Sequence, residues 1–269
     1  MSASTRSTPA AAYFGRLLES VTKTAGSLRA ITLAAETAAQ KTLDGGELWF
    51  AGDAGFVREA AHRAGGLMHA EPLADTDEAS AGDVVLLGSL TGDDAEDVAL
   101  LQATRERGAL VVFFAPENLP GEHMFVDAFA PPADDPDRLP TISPALAAGL
   151  WAFTGELVAA LTRHGRMPPM YKSVSVPGGP ERNAQHQGLR WEPLAVSPVG
   201  PHVLGGTYLD RLLGMMRRLQ ATQMDKFVEA GQMAALTLRA SDTVWYASAG
   251  HLPPEQPGQI GDPGLLGPL

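Results

Sequence analysis

The sequence predicts an α/β protein in which a parallel sheet of about five strands lies between layers of helices. Three short segments, 47–51, 83–88 and 109–115, are almost entirely apolar, and segments with helical spacing separate them. Strands that are buried on both faces have such continuous apolar runs, and their alternation with helices is typical of βαβ units. With 269 residues, 45% of them hydrophobic and 19% charged, the chain can bury a core of this kind.

The first predicted element is one long amphipathic helix over residues 13–43, because its apolar residues recur at intervals of three and four. The Asp-Gly-Gly sequence at 44–46 is a typical signal for the end of a helix. The first strand, 47–51, follows. The Gly-Asp-Ala-Gly sequence at 52–55 then predicts a turn, and a second helix is expected from residue 56 to about residue 64.

The middle of the chain continues the same alternation. A helix over 93–107 is expected to connect the second and third strands, and a fourth strand is expected at 125–130. The Pro- and Asp-rich segment 131–137 predicts a surface loop. Regularly spaced Leu and Phe residues then predict another long helix over 143–164.

An internal similarity links the two ends of the chain. The sequence at 13–18, Tyr-Phe-Gly-Arg-Leu-Leu, resembles Tyr-Leu-Asp-Arg-Leu-Leu at 208–213. Likewise Trp-Phe-Ala at 49–51 resembles Trp-Tyr-Ala at 245–247. The spacing predicts that residues 200–269 are a partial second copy of the first domain's opening helix and strand.

This second copy has too little material to enclose a core of its own. A helix over 208–239 is therefore expected to pack against the first domain, beside the helix over 13–43. A strand over 243–247 is expected to add to an edge of the sheet or to lie over one. The tail from Pro253 onward, rich in Pro and Gly, is expected to be irregular.

The charge balance makes nucleic acid an improbable partner. The chain carries 20 Lys and Arg against 31 Asp and Glu, a net charge of −11, and its densest basic spots are the pairs Arg105/Arg107 and Arg217/Arg218. The absence of cysteine excludes disulfides, thiol nucleophiles and thiolate metal sites. No long apolar run predicts a membrane span, and no signal-peptide pattern follows the start of the chain. We expect a soluble, cytoplasmic protein.

Two turns are candidates for ligand binding, because ligands of open parallel sheets lie beyond the carboxyl ends of the strands. The turn at 52–55 has glycines that let the backbone approach an anion, and the turn at 89–94, Ser-Leu-Thr-Gly-Asp-Asp, combines hydroxyl groups with a helix start. The alternatives are a tight strand–helix turn for the first and an ordinary helix N-cap for the second.

The order of these elements resembles the SIS (sugar isomerase) phosphosugar-binding domain. Three segments add to the resemblance: 63–67, 105–112 and 168–183, the last being similar to the closing segment of phosphosugar-binding SIS proteins. The resemblance covers about residues 11–190 and implies a three-layer, flavodoxin-like sandwich. Residues 200–269 look like the opening of a second SIS copy.

The resemblance implies a sugar phosphate or an amino sugar as the ligand. The sequence departs from the family pattern at Asp94, which stands where a Ser or Thr is usual. Asp93 adds a second carboxylate at this turn. Two carboxylates at a phosphate site would repel a dianion by several kcal/mol unless they point away or pair. The implied ligand-binding residues are Gly52, Asp53, Gly55, Ser89, Thr91, Gly92 and Asp94.

No catalytic residue is assigned from the sequence, and Glu59 and His62 are the weak candidates. His62 matches a histidine that the heptose-phosphate isomerase branch of the family uses as a metal ligand, but Gly66 replaces the Glu expected four residues later. A lone His is a poor metal site, so no metal and no cofactor is expected. For Glu59 and Glu156, the remaining carboxylates in predicted helices near the sheet edge, we expect solvated or helix-pairing roles.

Three functions are compatible with these features. The favoured one is binding of a phosphorylated or amino sugar, either without catalysis or with an isomerase-type activity that the sequence does not assign. The alternatives are an aldose–ketose isomerase or lyase acting on a sugar phosphate, and an assembly subunit without a ligand. The long apolar stripe over 13–43 predicts a homodimer or homotetramer.

Overall fold

A computed structural model describes residues 8–128, 141–246 and 266–268 of the chain. Its central feature is a five-stranded parallel sheet with the order β2-β1-β3-β4-β5, which confirms the predicted fold class. The strands are β1 (Leu48–Gly52), β2 (Ala70–Pro72), β3 (Val84–Gly88), β4 (Leu110–Ala115) and β5 (Met124–Asp127). The short β2, which contains Pro72, was not predicted.

Helices cover both faces of the sheet unequally. One face packs against a large cluster of apolar residues from four helices and from the start of a fifth, whereas the other face is covered mainly by α4 through Leu101. The helices are α1 (Pro9–Gly26), α2 (Leu28–Leu43), α3 (Ala54–Ala60), α4 (Ala95–Glu106), α5 (Ile142–Arg163), α6 (Gly179–His186) and α7 (Val203–Arg239). Helix α6 was not predicted.

The prediction of one helix over 13–43 is wrong, because the chain breaks at Ser27 between α1 and α2. Gly26 and Ser27 are both weak helix formers, so a break costs little there. The change of direction lets α1 lie along α7 while α2 packs against α5.

The helix after β1 is shorter than the predicted 56–64, since α3 ends at Ala60. His62 lies beyond it with a positive φ of 57°, which a continuing right-handed helix does not allow. Strand β5 ends at Asp127, short of the predicted residue 130, and the predicted loop over 131–137 lies outside the described residues.

Helix α7 is anchored by the carboxylate of Glu156 on α5, which is only 1% exposed. This carboxylate accepts hydrogen bonds from the hydroxyl of Thr32 at 3.0 Å and from the backbone N–H groups of His202 at 2.7 Å and Gly205 at 2.8 Å. Thr32 lies on α2, and the two N–H groups lie at the start of α7, where helix donors have no partner within the helix. One buried carboxylate therefore joins three helices, so the predicted helix-pairing role of Glu156 is confirmed.

The prediction that the C-terminal helix packs against the first domain is confirmed. Helix α7 packs against α5 and α1, and it begins at Val203, five residues before the predicted start. Its crossing with α5 is close, because a Cβ atom at Gly205 would lie 2.8 Å from the carbonyl oxygen of Ala152. The buried apolar side chains of α7 are Leu209, Leu213 and Met216.

Of the two placements predicted for the strand over 243–247, addition to an edge of the main sheet is wrong. Val244–Tyr246 (β6) pairs in parallel with Leu266–Pro268 (β7) in a separate two-stranded sheet. The tail from Pro253 is therefore not irregular throughout, and its other residues lie outside the described part of the chain. The partial second copy over 200–269 stays a prediction.

Within the described residues, α5 is long and apolar enough to cross a membrane by length and composition alone. However, 83% of its most apolar window is buried inside the fold. The apolar character of α5 is therefore accounted for by its position between α2, α7 and the sheet.

We expect Glu156→Gln to lower the free energy of unfolding by about 2 kcal/mol, because the amide would present a donor to groups that are themselves donors. The matched control is Glu19→Gln, which removes an exposed i,i+4 pair with Lys23 and should cost less than about 0.5 kcal/mol. Urea denaturation of both variants measures the difference. Equal costs would contradict the anchoring role of Glu156.

Candidate functional site

The topology places a crevice between the carboxyl ends of β1 and β3. Helix α3 leaves β1 over one face of the sheet, and α4 leaves β3 over the other. In doubly wound sheets, ligands bind where neighbouring connections diverge in this way. The two turns predicted from the sequence, 52–55 and 89–94, line this crevice and are joined by a hydrogen bond from the N–H of Asp53 to the carbonyl of Gly88 at 2.8 Å.

The base of the crevice is built on close contacts that require glycine. Gly52 has a φ of 89°, and a Cβ atom there would lie 2.1 Å from the carbonyl oxygen of Gly88. A Cβ atom at Gly88 would lie 2.2 Å from the ring of Phe56, which is buried and also packs against Phe114. Gly52 therefore shapes the backbone, and the Phe56 ring covers the end of β3.

In the first turn, Asp53 serves its own helix. Its carboxylate accepts a hydrogen bond from the N–H of Phe56 at 2.9 Å and so caps the start of α3. Gly55 lies directly beside this carboxylate, since a Cβ atom there would be 2.9 Å from Asp53 Oδ1. The anion-attracting end of α3 thus already faces a negative charge.

In the second turn, Ser89 is fully buried and points inward. Its backbone N–H donates to the carbonyl of Phe114 at 2.8 Å, and its Oγ accepts from the N–H of Gly92 at 2.9 Å. Gly92 has a φ of 86° and packs against the backbone of Glu117. Ser89 therefore stabilises the turn from within.

Thr91 and Asp94 occupy several N–H donors of this turn and of the start of α4. Thr91 Oγ1 accepts from the N–H of Asp94 at 3.1 Å, and Asp94 Oδ1 accepts from the N–H of Glu96 at 2.9 Å and, weakly, from that of Asp97 at 3.5 Å. Asp94 is the N-cap of α4. The N–H groups of Glu96 and Asp97, which a phosphate could otherwise use at this helix start, are bound by the side chain of Asp94.

The carboxyl group of Asp97, in the first turn of α4, has a raised pKa. Burial raises its pKa, and the nearby charges of Asp94, Asp53 and Glu96 raise it further, whereas a hydrogen bond with Ser89 lowers it. A half-buried carboxyl group with a raised pKa in a ligand crevice is a candidate acid or base. The crevice is therefore rich in acceptors and negative charge, a character that suits hydroxyl and ammonium groups.

Sequence reasoning missed Asp97, although its position three residues after the N-cap Asp94 was a usable sign. An acidic residue at this position is part of the capping-box pattern and lies beside the helix start. Its contact with Ser89 depends on side-chain direction, which the sequence does not specify.

The structure does not bring the weak catalytic candidates to the two turns. Glu59 accepts a hydrogen bond from the indole N–H of Trp151 at 2.8 Å and forms an ion pair with Arg63. His62 is exposed, with its Nε2 3.0 Å from a carboxylate oxygen of Glu71 and its ring edge-on to Tyr171. Both side chains connect neighbouring segments of the fold.

Within the described ranges, no three His, Asp or Glu side chains converge in an arrangement that could hold a metal ion. Two concavities of the described chain lie away from the crevice, one beside α4 and one along α7.

Strand order and crevice together define a doubly wound α/β protein of the flavodoxin-like type. No family model and no curated protein matches the chain. Similar solved structures include one from Salmonella typhimurium LT2, described as a sugar-binding protein, with 14% identity and a TM-score of 0.48. The match covers 88% of this chain and 64% of that one, so the chain spans less than two thirds of its length.

Two further similar structures have related descriptions. A phosphoheptose isomerase from Francisella tularensis has 14% identity and a TM-score of 0.43, with 54% of this chain and 94% of that chain covered. A protein from Silicibacter pomeroyi DSS-3, described as a phosphosugar isomerase, has 13% identity and a TM-score of 0.41, with 57% and 50% covered.

We expect Asp97→Asn to stabilise the protein at pH 7, because the raised pKa means that the folded state disfavours the charged carboxylate. Between the ordinary pKa of an aspartate and the raised pKa, the folded state binds more protons than the unfolded state, so wild-type stability falls as pH rises. The advantage of the variant should therefore shrink as the pH is lowered from 7 towards 4. Thermal denaturation across this range measures it, with Asp93→Asn as the charge-matched control.

Proposed function

We propose that the chain binds an amino sugar, or another sugar derivative rich in donor groups, in the crevice between β1 and β3. The observation that carries this proposal is the self-capping of the second turn, where Ser89 and Thr91 accept N–H groups of the turn itself and Asp94 accepts an N–H group of the α4 start. The residues proposed to line the site are Gly52, Asp53, Gly55, Ser89, Thr91, Gly92 and Asp94.

Charge supports an amino sugar over a phosphorylated one. A phosphate dianion in the crevice would face the carboxylates of Asp53, Asp94 and Asp97, and the N–H groups of Phe56 and Glu96 are already bound by two of them. At about 4 Å and an effective dielectric constant near 20, each such repulsion costs about 4 kcal/mol. The same carboxylates favour an ammonium group, and they accept hydrogen bonds from sugar hydroxyls.

A second candidate function is aldose–ketose isomerisation, which the raised pKa of Asp97 favours. Isomerisation needs a base that moves a proton next to a carbonyl group, and a carboxylate with a raised pKa is a stronger base than an ordinary one. Exchange of the sugar C2 proton with solvent would distinguish this function from binding alone. Abolition of the exchange in Asp97→Asn would support it, and persistence in that variant would contradict it.

Calorimetric titration of the wild type and variants tests the binding proposal, with glucosamine, glucose and glucose 6-phosphate as probes. We expect Asp94→Ser to strengthen binding of glucose 6-phosphate in the crevice and to weaken binding of glucosamine, because a negative charge is lost. Ser89→Ala should weaken both, since it disrupts the turn. The control is Asp225→Ser, which removes the same charge from the exposed part of α7. Equal affinities in all variants would contradict a ligand site in the crevice.

We also propose that the chain assembles as a homodimer or homotetramer through α7. From residue 217 to the end of this helix no residue is buried, although its length is 37 residues. Large apolar side chains on it are exposed, namely Met215, Leu219, Met233 and Leu236. A second copy would cover this surface. We expect light scattering at micromolar concentration to give at least twice the chain mass, and a monomer mass would contradict assembly.

The division into a sugar-binding domain over 11–190 and a partial repeat over 200–269 is likewise proposed. So is a cytoplasmic location, which agrees with the net charge of −11 and the absence of cysteine from the sequence.

A further inference from the structure

A second concavity lies at the opposite edge of the sheet from the crevice. It is formed where α4 ends and where β4 and β5 begin, and its volume is about 390 Å³. Polar and charged side chains predominate around it, and its lining residues are Gln102, Arg105, Glu106, Gly108, Ala109 and Glu122. We call it the α4–β5 pocket.

The cation of this pocket, Arg105, is half-buried and lies against the backbone of Gly121. A Cβ atom at Gly121 would lie 2.3 Å from a guanidinium nitrogen of Arg105, so a side chain there would displace the cation. Within the described chain, Arg105 has neither an ion pair nor a side-chain hydrogen bond, whereas the nearby Arg107 pairs with Asp77. The donors of Arg105 are therefore available to a ligand.

His123 lies beside Arg105 and adds a second unused group. Its Nε2 is 2.8 Å from Asn118 Oδ1, its ring is edge-on to Phe113, and its Nδ1 is buried without a partner among the described residues. Burial lowers the pKa of His123, and the charge of Arg105 lowers it further. His123 does not line the pocket, but its buried Nδ1 adds an unsatisfied polar group near Arg105.

From these contacts we infer that the α4–β5 pocket binds a small hydroxylated oxyanion, with Arg105 holding its phosphate or carboxylate group. Arginine suits both groups because its planar donors match two oxygens at once. Glu106 and Glu122 line the pocket but lie beyond ion-pair distance of Arg105, so they are free to accept hydrogen bonds from hydroxyl groups of the ligand.

This inference is independent of the function proposed for the crevice. The crevice holds the carboxylates of Asp53, Asp94 and Asp97, whereas the pocket combines two carboxylates, Glu106 and Glu122, with a cation whose donors are unused. A phosphorylated ligand would therefore bind to the pocket in preference to the crevice.

Calorimetric titration of the full chain at low ionic strength tests the inference. The probes are inorganic phosphate, glucose 6-phosphate, gluconate and glucose. Glucose 6-phosphate or gluconate should bind more tightly than inorganic phosphate, and glucose should not bind to the pocket. The comparison of glucose 6-phosphate with gluconate distinguishes a phosphate ester from a carboxylate as the preferred group. Absence of binding by every anionic probe would overturn the inference.

Variants assign the binding to the pocket. Arg105→Gln should weaken the tighter anion by at least about tenfold, as loss of a charge-assisted hydrogen bond predicts. Arg107→Gln, with the same change two residues away, should leave the affinity within about twofold. Equal losses in the two arginine variants would overturn the inference.

Glu122→Gln provides a test that does not depend on the folding of Arg105→Gln, because Glu122 is exposed. It removes a repelling charge from the pocket, so it should strengthen binding of inorganic phosphate by about two- to threefold. Unchanged or weaker binding of phosphate in this variant would overturn the inference.

Discussion

The layer of helices α1, α2, α5 and α7 on one face of the sheet depends on the buried carboxylate of Glu156. A charge at this depth is tolerated only because the Thr32 hydroxyl and two backbone N–H groups of α7 bind it. The same bonds determine where α7 begins and how it crosses α5. Because α1 in turn packs on α7, one carboxylate on α5 determines the arrangement of all four long helices on that face.

The crevice shows how local stability can conflict with ligand choice. Asp53 and Asp94 each satisfy helix donors at the carboxyl ends of neighbouring strands, which stabilises α3 and α4. The same carboxylates occupy the groups that make such helix starts attractive to anions. The turns at 52–55 and 89–94 therefore present carboxylate acceptors at the ends of β1 and β3.

Most of the fold could be predicted from the sequence, because β1, β3 and β4 are continuous apolar runs separated by helical patterns. Strand β2 could not, since three residues that include Pro72 carry no strand pattern of their own. The break at Ser27 depends on how α1 packs against α7, far away in the chain. In the site, the positions of the two turns followed from strand order, but the capping contacts of Asp94 and the burial of Asp97 depend on side-chain directions. The partners of Glu156 came from segments whose proximity only the folded chain determines.

The contact between Gly52 and Gly88 has a consequence for how the protein can evolve. The two glycines sit opposite each other on β1 and β3, and a side chain at either would press on Gly88 backbone or on the Phe56 ring at little over 2 Å. The carbonyl of Gly88 cannot move away without separating β1 from β3. The ring of Phe56 cannot move away without exposing the core. Sequence drift is thus blocked at the base of the crevice, while the acidic residues around its rim remain free to change. A change in what this crevice can bind would therefore come from substitution of the acidic residues at its rim, while the two glycines at its base stay the same.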